Sequence, residues 1–209
     1  LAWRPDIVGA RLSSWIGLHD FFLGSADDGY RSAVFDSIQK QSRYLTRVLP
    51  GHMRGSRLIT ALKGQIYACL ALPNSQPRLF QALAQLHDEL NKQILPDGGH
   101  VERNPATHLQ VLRHLIDIRA ALRCAGLAIP DSVSQSIHSM AMVLRFYSHG
   151  DGNLARFFLG KRFFQQFQFG RATTDHNFRR NGFAIIKLRH EIRQNISRLI
   201  VLVVPREIG

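Results

Sequence analysis

Three histidines stand in short polar loops about fifty residues apart. They are His52 in Leu49-Pro50-Gly51-His52, His100 in Leu95-Pro96-Asp97-Gly98-Gly99-His100, and His149 in Ser148-His149-Gly150-Asp151-Gly152. Imidazole titrates near neutral pH, so a histidine at a cleft mouth can give or take a proton. His100 is the strongest candidate for that chemistry; the alternative is a helix-terminus histidine that donates to a carbonyl. Next to it, Glu102 can orient His100 or accept from a sugar hydroxyl, or else pair with Arg103 at the surface. Arg103 carries a planar fork that matches sulfate or carboxylate, with an ordinary ion pair as the alternative. His108 follows as a second ligand candidate or a packed core histidine. Gly152-Asn153-Leu154-Ala155-Arg156 places Asn153 beside His149 in the same manner. Asp97 and Asp151 read as turn residues, and one carboxylate per loop gives a metal centre little support. Nothing in the pattern calls for a cofactor.

These loops need helices to present them. Apolar residues at helical spacing predict helices over 6–18, 29–49, 54–72, 78–95, 105–126 and 131–147. Pro50, Pro73 and Gly126 stop three of them. Asn104-Pro105 is a start signal, because the Asn side chain accepts from free first-turn amides and proline loses nothing at the first helical position. Leu109, Val111, Leu112, Leu115, Ile116, Ile118 and Leu122 cover more than one face, so the fifth helix should be covered on two sides. Short connections favour antiparallel pairs. The three histidine loops follow the second, fourth and sixth helices, which puts them at one end of an array of helix pairs, on a shared rim able to hold an anionic ligand. The fold class is therefore all-α, with no strand alternation. Trp3 and Trp15 read as core residues before sugar-stacking ones.

With 209 residues, 45% of them hydrophobic and 20% charged, the chain has the composition of a globular protein. Mean hydropathy is −0.10 and no apolar run approaches eighteen residues, so a spanning helix is excluded. Cys69 and Cys124 lie in apolar helical patterns and read as buried thiols rather than a disulfide or zinc site. No basic-then-apolar leader is visible, and the compartment is not legible. The net charge of +12 is uneven: residues 157–209 hold 10 of the 27 Lys and Arg, 3 of the 15 acids, and 8 of the 13 Phe. Aromatics among cations can stack on bases. No RNA-binding signature accompanies them, so nucleic acid is a disfavoured partner. Within this tail Ile185, Leu188, Ile192, Ile196 and Leu199 predict an amphipathic helix flanked by Arg189, Arg193 and Arg198, suited to packing on its own domain, on lipid or on a partner.

The run Gln93-Ile94-Leu95-Pro96-Asp97-Gly98-Gly99-His100-Val101-Glu102-Arg103-Asn104-Pro105, with His108 after it, resembles the signature of the heparinase II/III-like polysaccharide lyases. Arg57-Leu58-Ile59-Thr60-Ala61-Leu62-Lys63-Gly64 and His149-Gly150-Asp151-Gly152-Asn153-Leu154-Ala155-Arg156-Phe157 also resemble its helical region. The resemblance covers roughly residues 3–157 and implies an incomplete α/α toroid over 1–157, normally followed by a β-sandwich domain. Residues 158–209 form an atypical basic, Phe-rich tail, irregular or partly helical, in which neither the sandwich nor anything else of the family is recognised.

The resemblance implies β-elimination on uronic-acid-containing polysaccharides, with an acidic polysaccharide as partner and a periplasmic setting. A cation or amide neutralises the uronate carboxylate, and a Tyr or His base removes the C5 proton as the glycosidic oxygen leaves. The family's usual tyrosine falls at Thr107, whose hydroxyl is a poor base without a partner. The neutralising group falls near Ser56 and Arg57. Arg57 can pair bidentately with a carboxylate, and His52 is the other candidate by spacing. The expectation is a helical domain inactive as an isolated chain, with a non-catalytic module binding anionic glycan or a protein partner as the alternative.

Overall fold

The computed structural model describes residues 2–147; the expectations placed on His149, Asn153, the boundary at 157 and the tail lie outside them. The described residues form seven α-helices and no strand: α1 (Pro5–Gly17), α2 (His19–Leu23), α3 (Asp28–Val48), α4 (Gly55–Ala71), α5 (Gln76–Gln93), α6 (Pro105–Cys124) and α7 (Asp131–Tyr147). The six helices expected from periodicity are present. The five-residue α2, with no buried side chain, is too short to show a period and was not expected.

Local chemistry sets the starts. Asp27 caps α3 by accepting from the Tyr30 amide at 2.8 Å, and Asn104 caps α6 by accepting from the Ala106 amide at 2.9 Å. Pro5 and Pro105 open α1 and α6, where a missing N–H costs nothing. Arg54 provides no side-chain cap for α4. Instead Glu89, from α5, accepts from the Gly55 amide at 2.6 Å.

Helix α4 is the centre of the assembly, packed by α1, α3, α5 and α6. Leu58, Leu62, Ile66 and Cys69 form one buried apolar stripe, and Ala61, Gly64 and Ala68 make a second buried face of small residues. That second face lets α1 approach backbone to backbone. A Cβ on Gly9 would lie 2.5 Å from the Ala61 Cα, and one on Gly64 would fall within the Gly9 backbone. Each fully buried Leu or Ile contributes about 1.5–3 kcal/mol. The core runs from Val8 and Leu12 through α4 to Leu112, Leu115, Ile118 and Leu122 of α6 and Val133, Ile137 and Met140 of α7. As expected, α6 is covered on two sides, by α4 and α7.

Contacts also fix direction. Gly9 lies against Thr60 and Ala61 and Gly17 against Tyr67, while Thr60 meets His114 and Lys63 meets Asp117. Helices α1, α4 and α6 therefore run parallel, starting at residues 5, 55 and 105. Helices α3, α5 and α7 return in the opposite direction. The sequence expectation for the tryptophans holds only in part: Trp15 packs on the core, whereas Trp3 is 46% exposed, edge-on to Tyr44 at 5.3 Å.

Candidate functional site

The parallel order brings three helix N-termini to one end, each carrying the positive end of a helix dipole. Two of the three expected histidine loops are described, and both lie at this end. The loop before α4 meets the loop before α6 where Gly55 faces Gln93 and Glu102. An arginine stands beside each start: Arg4, Arg54 and Arg103. Arg4 pairs with Asp6 at 2.6 and 2.8 Å, and Arg103 pairs with Asp97 at 2.6 Å. Arg54 donates to the carbonyls of Gly51 and Met53. Arg57, exposed in the first turn of α4, makes no carboxylate pair among the described residues. His52 is exposed in the loop before α4.

The loop carrying His100 is built by its own polar groups. The Leu95 amide donates to Gly99 O, the Val101 amide to Gln93 O, and Ile94 and His100 form an isolated antiparallel bridge. Asp97 accepts from the Gly99 amide at 2.9 Å and from Arg103, and these bonds, the backbone one foremost, hold its carboxyl below the usual range. Asp97 is thus the turn residue expected. Gly98, at φ +79°, packs so closely on Ser139 of α7 that a side chain there would collide with backbone.

His100 is fully buried. Its Nδ1 accepts from the Glu102 amide at 3.2 Å, which leaves the proton on Nε2. Burial pushes its pKa below the ordinary histidine value, against the pull of Glu102. Proton transfer by His100 would require a ligand to reach a side chain closed off from solvent. The Glu102 backbone, rather than its carboxylate, orients the ring. That carboxylate accepts from the Thr107 hydroxyl at 2.9 Å and is not paired with Arg103. His108 is also fully buried, donating from Nε2 to Met140 O at 2.8 Å and meeting Tyr147 edge-on at 5.3 Å. This matches the packed-histidine alternative.

Sequence reasoning passed over Glu89 and Gln93. Both are buried, and Gln93 donates to Glu89 at 3.0 Å. The signal was present: they sit three residues after Leu86 and Leu90, on the apolar face of α5, where a polar side chain needs a partner. Arg54 was also missed, and its place before a helix start could have flagged it. No group of three or more His, Cys, Asp or Glu suited to a metal ion occurs among the described residues.

Comparison with known proteins gives a consistent picture. The family described as Heparinase II/III N-terminus matches residues 1–162. A curated relative, FtsZ-localized protein C of Caulobacter vibrioides, is 27% identical over 161 residues, covering 77% of this chain and 28% of the relative. A mutant of heparan sulfate lyase HepC from Pedobacter heparinus superposes with a TM-score of 0.62 at 21% identity, covering 99% of this chain and 32% of that one. HepC itself gives 0.60 at 20% identity, covering 94% and 30%. At such identity the two structures show a shared fold. The chain spans less than a third of each of these proteins.

Proposed function

Since the chain belongs to the heparinase II/III N-terminal family, we propose that it binds an acidic polysaccharide at the end where α1, α4 and α6 begin, as the helical part of a polysaccharide-acting protein. One observation carries this reading: three helix N-termini point the same way, with the guanidinium of Arg57 exposed among them and engaged by no carboxylate of the described residues. Anions are favoured at such termini, and a guanidinium fork matches a carboxylate. In this reading Arg57 and His52 meet the uronate, Glu102 meets hydroxyl groups, and Arg103 adds positive potential beside Asp97. His149 and Asn153 are further glycan-binding residues in this reading, while His100 and His108 hold the loop before α6 in shape. The helix pairs belong to an incomplete α/α toroid over residues 1–157, with the basic segment 158–209 outside it.

The chemistry of the reading is β-elimination. A base takes the C5 proton, its electron pair forms the C4–C5 double bond, and the C4–O bond breaks with the glycosidic oxygen leaving. The described residues support the binding half of this more than the base. Thr107 stands at the family's tyrosine position with its proton committed to Glu102. The isolated chain therefore binds without turnover. A protein partner is the alternative, favoured by the curated relative, whose name records localisation with FtsZ.

Isothermal titration with a uronate oligosaccharide tests the proposal. Tight binding that Arg57→Ala weakens tenfold or more, with no rise in unsaturated-uronate absorbance, is the expected result. Undiminished binding by Arg57→Ala removes the rim from the account, and robust turnover removes the claim of inactivity.

A further inference from the structure

A small pocket lies between α3 and α5, bounded on the α4 side by Gln65. Leu45, Leu49 and Ala82, all buried, make its apolar floor. Its enclosed part has room for about one water molecule. Gln65 is ten residues into α4, roughly 15 Å along the axis from Gly55, so the pocket stands apart from the helix starts. Two of its polar groups are satisfied within the protein: Gln65 Nε2 donates to Thr46 Oγ1 at 2.7 Å, and the Thr46 hydroxyl donates to Ser42 O at 3.0 Å. Arg78 is not. Its half-buried side chain lines the same pocket and makes no hydrogen bond or ion pair among the described residues. Cys69 lies within reach of its charge, but burial pushes the pKa of that thiol up to about 11 and keeps it neutral, so it is no counter-ion. Among the described residues no acid lines the pocket, and none stands in the first turn of α5. That turn has no side-chain cap either, because Ser75 Oγ is turned to the carbonyls of Cys69 and Leu72. A guanidinium drawn from water without an acceptor is costly, and the α5 start adds positive potential beside it.

We propose that this pocket docks a glutamate side chain of a partner protein, its carboxylate paired with Arg78 and its methylene groups laid on Leu45, Leu49 and Ala82. The inference is independent of the polysaccharide reading. A guanidinium fork meets a carboxylate through two parallel hydrogen bonds, and the exposed amide of Gln81, one turn later on the same face of α5, adds a donor. A sulfate or phosphate group is tetrahedral and larger than the enclosed space. A uronate ring would set hydroxyl groups against the apolar floor. A free small carboxylate leaves too little contact to offset the cost of association, so the group has to be carried by a chain that also rests on α3 and α5.

A random-peptide display library selected on the full chain at physiological salt provides the test. Selected peptides are expected to carry a glutamate beside apolar residues. A synthetic peptide from that set should lose about tenfold or more in affinity when its glutamate is replaced by glutamine, and equally on Arg78→Gln in the protein. Gln81→Glu, at an exposed position, places a carboxylate one turn from Arg78. It should compete for the guanidinium and weaken the peptide with the fold intact, which keeps the test decisive where Arg78→Gln disturbs packing. A uronate tetrasaccharide should bind the wild type and Arg78→Gln alike. A library that yields no binder, binders without an acid, or affinities that neither variant changes would overturn the inference and leave the polysaccharide reading untouched. A tenfold loss of tetrasaccharide binding in Arg78→Gln overturns it as well, because the pocket then belongs to the glycan.

Discussion

His114 sits between α4 and α6 with its Nε2–H 3.2 Å from Thr60 Oγ1, whose own proton goes to Ser56 O at 2.9 Å. Its Nδ1 is buried without a partner. Burial, with Lys63 opposing and Asp117 favouring the charged form, lowers its pKa to about 4. His100 and His108 are lowered in the same direction, chiefly by burial. The unfolded chain takes up these protons below the ordinary value of 6.5, while the folded protein resists until lower pH. Stability is therefore full above about pH 6.5 and falls with acidification, the His114 share being lost by about pH 4. The urea midpoint should drop between about pH 7 and about pH 4.5, and His114→Gln should flatten part of that drop; an equal slope in the variant would contradict this. Little of it is legible in the sequence. His114 follows His108 by six residues in the same helix, and nothing in the spelling shows that one ring is buried and the other half-buried, both as neutral tautomers. That depends on which carbonyl or hydroxyl a neighbouring helix presents.

The seam between α1 and α4 carries a different prediction. Gly64→Ala places a methyl group into backbone, which cannot turn aside as a side chain can, so the cost should exceed about 2 kcal/mol. Gly126→Ala meets no atom within 4 Å and faces only the strain of φ +71°, about 1–2 kcal/mol. Thermal melts of the two variants should rank Gly64→Ala well below Gly126→Ala, and equal losses would mean that the helices separate easily. Periodicity made the existence and approximate bounds of six helices readable, because each buries one long apolar stripe. It did not reveal the seam, since Gly9, Ala61 and Gly64 look like weak helix positions until a second backbone is laid against them. Glu89 and Gln93 were hidden for the converse reason: polar letters in an amphipathic helix are assigned to the wet face unless the partner that satisfies them is known.

Across the whole molecule the charge of +12 supplies long-range attraction for any polyanion, and residues 157–209 hold a large share of it. Such attraction is screened by salt, whereas a rim that pairs and hydrogen-bonds its ligand is less so. Replacing Arg189, Arg193 and Arg198 with Gln should lower the salt needed to elute the protein from an anionic column, yet leave the penalty of Arg57→Ala on oligosaccharide binding unchanged. Loss of that penalty in the tail variant would move recognition away from the helix starts. No helix of the described residues is long and apolar enough to cross a membrane. Finally, where Gly9 and Gly64 bring two main chains into contact, no side chain is left that could swing aside and let one helix slide on the other. The starts of α1 and α4 are thereby held like marks on a ruler, and a polymer that spans them has to fit the interval it finds.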